Sequence, residues 1–179
     1  TDGTKAGTRQ VKIINKGGHS APNGFIRFNH RVFFKADDGA HGWELWVTDG
    51  TERGTKLVKD INPGAGGSDP SYLTVFNGRL YFSAYHPDDG EELWVTDGTK
   101  TGTKLVKDIR DGDKGSNPTQ FAFSSDSGYR FTPINGRLYF GADDGESGYE
   151  LWVTDGTEAG TGRVIDINRG PGDGVMDID

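Results

Sequence analysis

The sequence predicts an all-β protein, an array of four-stranded antiparallel units with three full units and one extra strand. Two repeated patterns predict it. The eight residues ELWVTDGT occur three times, from Glu44, Glu92 and Glu150, and a run rich in aromatic residues precedes each copy. Short runs of Val, Tyr, Phe, Trp and Thr between Gly, Asn and Asp residues are typical of strands. Gly accounts for 29 of the 179 residues, which favours turns over helices.

The repeat divides the chain into units that each end at the same apolar position. TDGTxxGT and an apolar run ending in Ile recur four times, and the final residues are Ile14, Ile61, Ile109 and Ile167. The third interval is the longest, which predicts a loop insertion near 121–131. The predicted divisions are an outer strand of a preceding blade over 1–14, blades over 15–61, 62–109 and 110–168, and a crossover towards a next blade over 169–179.

The strands are clearest in the second unit. Its four predicted strands are Tyr72–Phe76, Arg79–Ala84, Glu92–Thr96 and Lys104–Ile109. The same pattern predicts the extra strand near Arg9–Ile14 and a final strand over Arg163–Asn168.

Two-residue turns join the first and second strands of each unit. Asn77-Gly78 and Asn135-Gly136 are typical of type I′ hairpin turns, in which both central residues have positive φ. The first unit has Asn29-His30 instead. His enters that region less readily than Gly, so we expect this turn to differ or to be strained.

The segment TDGTxxGT predicts a self-bonded turn between the third and fourth strands. Its Asp can accept a hydrogen bond from the backbone N–H two residues on, and the following Gly can adopt a left-handed conformation. We therefore interpret these residues as structural. The predicted turn residues are Asp49, Gly50, Asp97, Gly98, Asp155 and Gly156.

Both faces of the predicted strands carry apolar residues. Leu80, Phe82 and Ala84 share one face of the second strand, whereas Tyr81 lies on the other. A sheet that is apolar on both faces is expected to lie between two others, as propeller blades do. The repeated tryptophans Trp46, Trp94 and Trp152 are therefore expected to pack between blades.

The repeated motif resembles that of a known bacterial family. ELWVTDGT followed by xxGTxLVKDI is similar to the ELWxxDGT repeat, and the likeness covers nearly the whole chain. It implies propeller-like repeats in a large secreted or surface-attached protein. It implies no single activity. The first unit departs from the pattern at Ile13, where the later ones have Asp60, Asp108 and Asp166.

Three blades and one strand do not make a closed ring, because propellers have about 4 to 8 blades. We expect either a longer array or an assembly of several copies. The uncovered outer faces are then expected to carry Leu80, Phe82, Trp94 and Leu151.

Charge and composition exclude several classes of protein. The net charge of -7 argues against a nucleic-acid binder, which needs a basic surface. No run of 18 apolar residues exists, so membrane insertion is not expected. The chain has no Cys, which removes disulfides and cysteine nucleophiles.

Two kinds of candidate ligand site have two interpretations each. An Asp-Asp-Gly turn precedes each third strand, and its carboxylates could bind calcium or simply close the turn. Trp43 has no counterpart in the other units, and could stack on a sugar or pack locally. The candidate calcium residues are Asp37, Asp38, Asp88, Asp89, Asp143 and Asp144.

No catalytic template matches, so we expect no enzymatic activity and no cofactor apart from the possible calcium. The leading hypothesis is a secreted or cell-surface repeat module for adhesion, extracellular matrix or fibre assembly. Its partners would be further repeats of the same chain or other copies of it. Two alternatives stay open, a lectin-like propeller that binds glycans and a scaffold part of a larger extracellular enzyme.

Overall fold

The computed structural model describes residues 1–119, 131–167 and 172, and over these the protein forms twelve strands and no helix. Unit 1 contains β1 (Asn23–Phe28), β2 (Arg31–Asp37), β3 (Trp43–Thr48) and β4 (Lys56–Lys59). Unit 2 contains β5 (Ser71–Phe76), β6 (Arg79–His86), β7 (Gly90–Thr96) and β8 (Lys104–Lys107). Unit 3 contains β9 (Thr132–Ile134), β10 (Arg137–Asp143), β11 (Tyr149–Thr154) and β12 (Gly162–Ile165).

Each unit is one four-stranded antiparallel sheet whose strands follow chain order. The register is the same in all three sheets, since Glu44, Glu92 and Glu150 each lie opposite an alanine of the second strand. The prediction of an all-β protein with three four-stranded antiparallel units is therefore confirmed for the described residues. These residues contain no helix long and apolar enough to cross a membrane.

The predicted ends of the outer strands were partly wrong. The fourth strand of unit 2 stops at Lys107 instead of Ile109, and that of unit 3 covers Gly162–Ile165 within the described residues. Arg9–Ile14 is not a strand. A strand requires a hydrogen-bonded neighbour, and no described third strand lies beside this segment.

The turn at Asn29-His30 has the same backbone conformation as the Asn-Gly turns. Its φ values are 48° and 60°, close to the 46° and 69° of Asn77 and Gly78. The turn therefore does not differ, which corrects one half of the expectation. The other half stands, because His30 holds a positive φ that is unfavourable for a residue with a Cβ.

The core lies between the sheets. One buried cluster joins unit 1 to unit 2 and includes Phe33 and Trp94, and a second joins unit 2 to unit 3 and includes Tyr81 and Trp152. Packing of the repeated tryptophans between units is thus confirmed for these two. The expectation that Leu80, Phe82 and Trp94 lie on an uncovered face was wrong, because unit 1 covers all three.

The inserted residues of unit 3 interrupt its first strand at a bulge. In unit 2 the bulge separates the pairs Ser71–Ser83 and Thr74–Tyr81. The corresponding pairs in unit 3 are Thr119–Gly141 and Thr132–Tyr139. Twelve residues thus replace two between the paired positions. Of the predicted insertion, 121–131, only Phe131 lies within the described residues, as does only residue 172 of the predicted crossover, 169–179.

Candidate functional site

The TDGT turn is held by its aspartate. In unit 2, Oδ1 of Asp97 accepts hydrogen bonds from the backbone N–H of Thr99 at 2.9 Å and from its hydroxyl at 2.7 Å. These bonds lower the pKa of the Asp97 carboxyl. Asp49 and Asp155 make the same two bonds, and Gly50, Gly98 and Gly156 have φ values of 89° to 95°.

The second glycine of TDGTxxGT packs directly on that aspartate, which the sequence analysis missed. A Cβ at Gly102 would overlap the Asp97 carboxylate, and one at Gly160 would overlap Asp155. The N–H of Gly102 also donates to the Thr99 hydroxyl at 3.0 Å. This glycine is needed for close approach, since its φ is not in the left-handed region. The invariant spacing of the two glycines in all four copies was the available signal.

The Asp-Asp-Gly turns use their carboxylates to bind their own backbone. Asp38 accepts from the N–H groups of Ala40 and His41 at 2.9 Å, and Asp144 accepts from Glu146 and Ser147. Asp37 and Asp143 accept from the Gly of the turn. In unit 2 the longer turn instead places Asp89 against the His86 ring at 2.9 Å, and the N–H of Asp88 donates to the same ring.

No group of three His, Cys, Asp or Glu side chains that could hold a metal occurs among the described residues. The arrangement of these turns therefore supports the turn interpretation, and calcium gains no support from it.

The glutamate of ELWVTDGT is a buried anchor for the segment that links one unit to the next. Oε1 of Glu44 accepts from the N–H groups of Ile61 and Asn62, and Oε2 accepts from the Ser68 hydroxyl at 2.6 Å. Glu92 is bound in the same way by Arg110 and Ser116. This role of the glutamate was not predicted, although its presence in every ELWVTDGT copy was a visible signal.

Burial raises the pKa of both glutamates, to about 7 for Glu92, even though the hydrogen bonds they accept favour the charged form. The Glu92 carboxyl therefore titrates close to neutral pH. It couples the link between units to the protonation of a buried group.

A lysine on each of the strands β4 and β8 bonds to the next unit. Nζ of Lys59 donates to the Thr103 carbonyl at 3.0 Å, and Nζ of Lys107 donates to the Thr161 carbonyl at 3.1 Å. Lys59 also lies 5.1 Å from the centre of a Trp94 ring. Together with the buried clusters, these bonds define one interface that the chain forms twice, between its successive units.

Unit 3 exposes the face that units 1 and 2 bury against their successors. We call this the back face. In unit 1 it consists of Phe28, Phe33, Leu45, Val47, Val58 and Ile61, all buried against unit 2. In unit 3 the same positions are Ile134, Tyr139, Leu151, Val153, Val164 and Ile167, and every one is exposed or half-buried. Of the four residues expected on an uncovered face, Leu151 does lie there.

Unit 1 carries the opposite, front face, in which Phe34, Ala36 and Trp46 are buried and Ile14 and Leu57 pack against them. The first glycine of each TDGT turn leaves space for an aromatic ring from the back face of the preceding unit. Phe33 lies beneath Gly98 of the next unit, where a Cβ would be 2.9 Å from Cζ of the ring, and Tyr81 approaches Gly156 in the same way.

At Gly50, the corresponding glycine of unit 1, nothing lies within 4 Å of a Cβ position, and Tyr139 of unit 3 lies on the open back face. This contact between an aromatic ring and a TDGT glycine thus occurs twice within the described residues. Among these residues, Gly50 is a glycine without its ring, and Tyr139 is a ring without its glycine.

A groove between units 2 and 3 is lined by charged residues and a buried tryptophan. This groove, of about 530 Å³, lies between the link after β8 and the Asp-Asp-Gly turn of unit 3, and Lys107, Arg110, Asp144 and Trp152 are among its lining residues. Trp152 is only 6% exposed, so its ring offers no free face for a sugar. Trp43 is half-buried, with the Lys35 ammonium 5.6 Å from its ring centre.

Comparisons with known proteins define no family for this chain. No protein-family model and no curated protein matches it. The crystal structure of the computationally designed Ika4 protein matches 92% of this chain and 83% of that one, with 18% identity and a TM-score of 0.44. The designed Ika8 protein gives 19% identity and a TM-score of 0.43, over 94% of this chain and 43% of that chain. Both similarities are low, so the description of this protein depends on its own sheets and on which of their faces are exposed.

Proposed function

We propose that this chain is a non-enzymatic assembly module, three propeller-type blades whose open back face packs against a further blade of the same kind. The proposal rests on the back face of unit 3. Ile134 and the other five residues of this face are exposed or half-buried, whereas the corresponding residues of units 1 and 2 are buried. Leaving such area in water costs about 25 cal/mol per Å².

The front face of unit 1 in a second copy is the occupant we propose for this back face. The pairing would repeat an interface that the chain already forms between units 1 and 2 and between units 2 and 3. It would bring Tyr139 onto Gly50, the receptor that has no ring above it. Two copies supply six blades, within the about 4 to 8 of closed propellers. A pairing that does not close would give a fibre.

The resemblance to the ELWxxDGT repeat supports an extracellular setting for this assembly. On that basis we propose a secreted or cell-surface module, working in adhesion, matrix or fibre formation. Its TDGT turns hold their aspartates in backbone hydrogen bonds, as Asp97 does, which favours a structural role for the repeat.

Sedimentation velocity of the full chain tests the proposal against a matched pair of variants. Ile134 and Val75 are similarly exposed, at 50% and 40%, but only Ile134 belongs to the back face. The parent chain is expected to exceed the 19.4 kDa of one copy, Ile134→Asp to be monomeric, and Val75→Asp to associate like the parent. A parent that stays monomeric throughout the micromolar range would refute the proposal.

A further inference from the structure

Residues 1–22, here called the N-terminal segment, lie on unit 1 as the outer strand and link of a preceding unit would. Nζ of Lys12 donates to the Thr55 carbonyl at 2.7 Å, as Lys59 and Lys107 do one and two units later. The Ser20 carbonyl accepts from the N–H of Asp37 at 3.1 Å, which repeats the bonds made by the carbonyls of Ser68 and Ser116. The segment therefore makes the onward contacts of a link between units.

The same segment makes none of the contacts by which such a link binds the unit before it. In units 1 and 2 the linking serine gives its hydroxyl to the buried glutamate of the preceding third strand. The hydroxyl of Ser20 makes no hydrogen bond to any described residue, and residues 9–14 pair with no described strand. Ser20 is thus a linking serine without its glutamate.

In the part of the chain that the structure describes, Glu150 lacks the serine donor that Glu44 and Glu92 have. It is fully buried, yet within the described residues it accepts only the N–H of Ile167, at 3.1 Å on Oε2, and its Oε1 has no partner. Ser68 and Ser116 follow Ile61 and Ile109 by seven residues, and Ser20 follows Ile14 by six. The residues six and seven after Ile167 are Asp173 and Gly174, neither of which has a hydroxyl. A buried carboxyl oxygen without a donor is costly.

The side chains of the outer strand of unit 3 are also more exposed than those of β4 and β8. β4 and β8 each bury their valine, whereas three of the four residues of β12 are exposed. The lysine that bonds onward in the other units is replaced by Ile165, which is 59% exposed. β12 pairs with β11 in the register that β4 and β8 use with their third strands, and Arg163 adds contacts with Ser147 and Asp144.

We propose that two copies of the chain join by strand exchange, with the N-terminal segment of one copy replacing β12 on β11 of the other. The exchange rests on the proposed function and specifies how the back face of one copy is linked to unit 1 of the other. It places the Ser20 hydroxyl at the unpaired Oε1 of Glu150 and keeps Lys12 on Thr55. The Ser20 hydroxyl and Oε1 of Glu150 then form the hydrogen bond that the corresponding serine and glutamate form in units 1 and 2.

The register of the exchanged strand follows from unit 1. Lys56 lies opposite Val47, and Arg9 and Val153 are the corresponding positions. Opposed antiparallel residues have Cα atoms about 4.5 to 5.5 Å apart, a separation that a disulfide spans. The chain has no cysteine of its own, so introduced cysteines report this contact alone.

A mixing experiment tests the contact between copies. Arg9→Cys and Val153→Cys chains are combined with oxidised glutathione, and a disulfide-linked dimer is expected. Arg9→Cys mixed with Val75→Cys is the control, which is expected not to cross-link, because Val75 lies outside the back face. Ser20→Ala should weaken association about tenfold, as loss of a hydrogen bond to a buried carboxyl does. Ser71→Ala, whose hydroxyl bonds only to the Asp69 carbonyl, should leave association unchanged.

A locked variant separates the exchange from the packing of faces. Val153 pairs with Gly162 of β12, and a Cβ at Gly162 meets nothing within 4 Å. Oxidised Val153→Cys/Gly162→Cys should lose association at least tenfold and regain it on reduction. If the oxidised variant associates like the parent and no mixed disulfide forms, strand exchange is overturned while the proposed function stands. If the parent chain does not associate at all, both are overturned.

Discussion

The Ser116 hydroxyl lies 2.5 Å from Oε2 of Glu92, and this bond joins the third strand of unit 2 to the segment that leads into unit 3. The glutamate is buried between sheets, so one side chain supports both the fold of its unit and the position of the next.

Stability should fall as pH rises through the range in which Glu92 ionises. Burial raises the pKa of Glu92 from 4.5 to about 7, so the folded protein holds a proton that the unfolded chain has lost. The stabilisation is complete below pH 4.5 and is lost as pH rises to about 7, by up to about 3 kcal/mol. The parent should therefore lose more stability over this range than Glu92→Gln in urea titrations.

Glu52→Gln is the control for this experiment, because Glu52 is exposed in the turn after β3. It should keep the pH dependence of the parent chain. A Glu92→Gln curve parallel to that of the parent from pH 4.5 to 7 would contradict the assignment of this proton to Glu92.

Adding one methyl group to Gly102 should disrupt the TDGT turn. The new Cβ would overlap the Asp97 carboxylate and displace it from the Thr99 hydroxyl and N–H. Loss of a turn-closing bond costs about 1 kcal/mol, and the steric displacement adds to that. Gly162→Ala is the matched control, because its Cβ meets nothing and its φ is not left-handed. Equal thermal unfolding midpoints for the two variants would refute this account.

The turn at His30 should be improved by glycine. His30 holds a φ of 60°, and a residue with a Cβ in that region is disfavoured by about 1 kcal/mol or more. His30→Gly is therefore expected to raise the unfolding free energy in urea titrations. The reverse exchange in unit 2, Gly78→His, should lower it by a similar amount, since Gly78 has a φ of 69° and open space around it. A destabilised His30→Gly protein would be the contrary result.

The contact between Phe33 and Gly98 should be measurable by comparison with Gly50. Both glycines have φ near 90°, so alanine is strained equally at either site. Only Gly98 also meets an aromatic ring of the preceding unit, at 2.9 Å from a Cβ. In the monomeric Ile134→Asp background, Gly98→Ala should lower the thermal midpoint more than Gly50→Ala does. In the parent background, Gly50→Ala should also weaken association, because Gly50 is the proposed receptor of Tyr139.

Local sequence determined the units and their turns. The three ELWVTDGT copies and the Asn-Gly pairs specify hairpins by interactions within a few residues, such as that of Asp97 with Thr99, and these could be predicted. The glutamate was visible as a repeated letter, but its function was not. Its partner Ser116 lies 24 residues away, and only the folded link brings the two together.

Tertiary structure decided which apolar faces are covered. Leu80 and Tyr139 occur in runs of nearly the same sequence, and from composition both qualify equally as residues of an open face. Leu80 is buried because unit 1 stands before it, whereas Tyr139 is half-exposed because no described unit follows. Residues 9–14 have the sequence of an outer strand but no sheet to join, since strand pairing is a property of two segments. Burial depends on the neighbour a segment has in space, and a sequence repeated in each unit does not encode that neighbour.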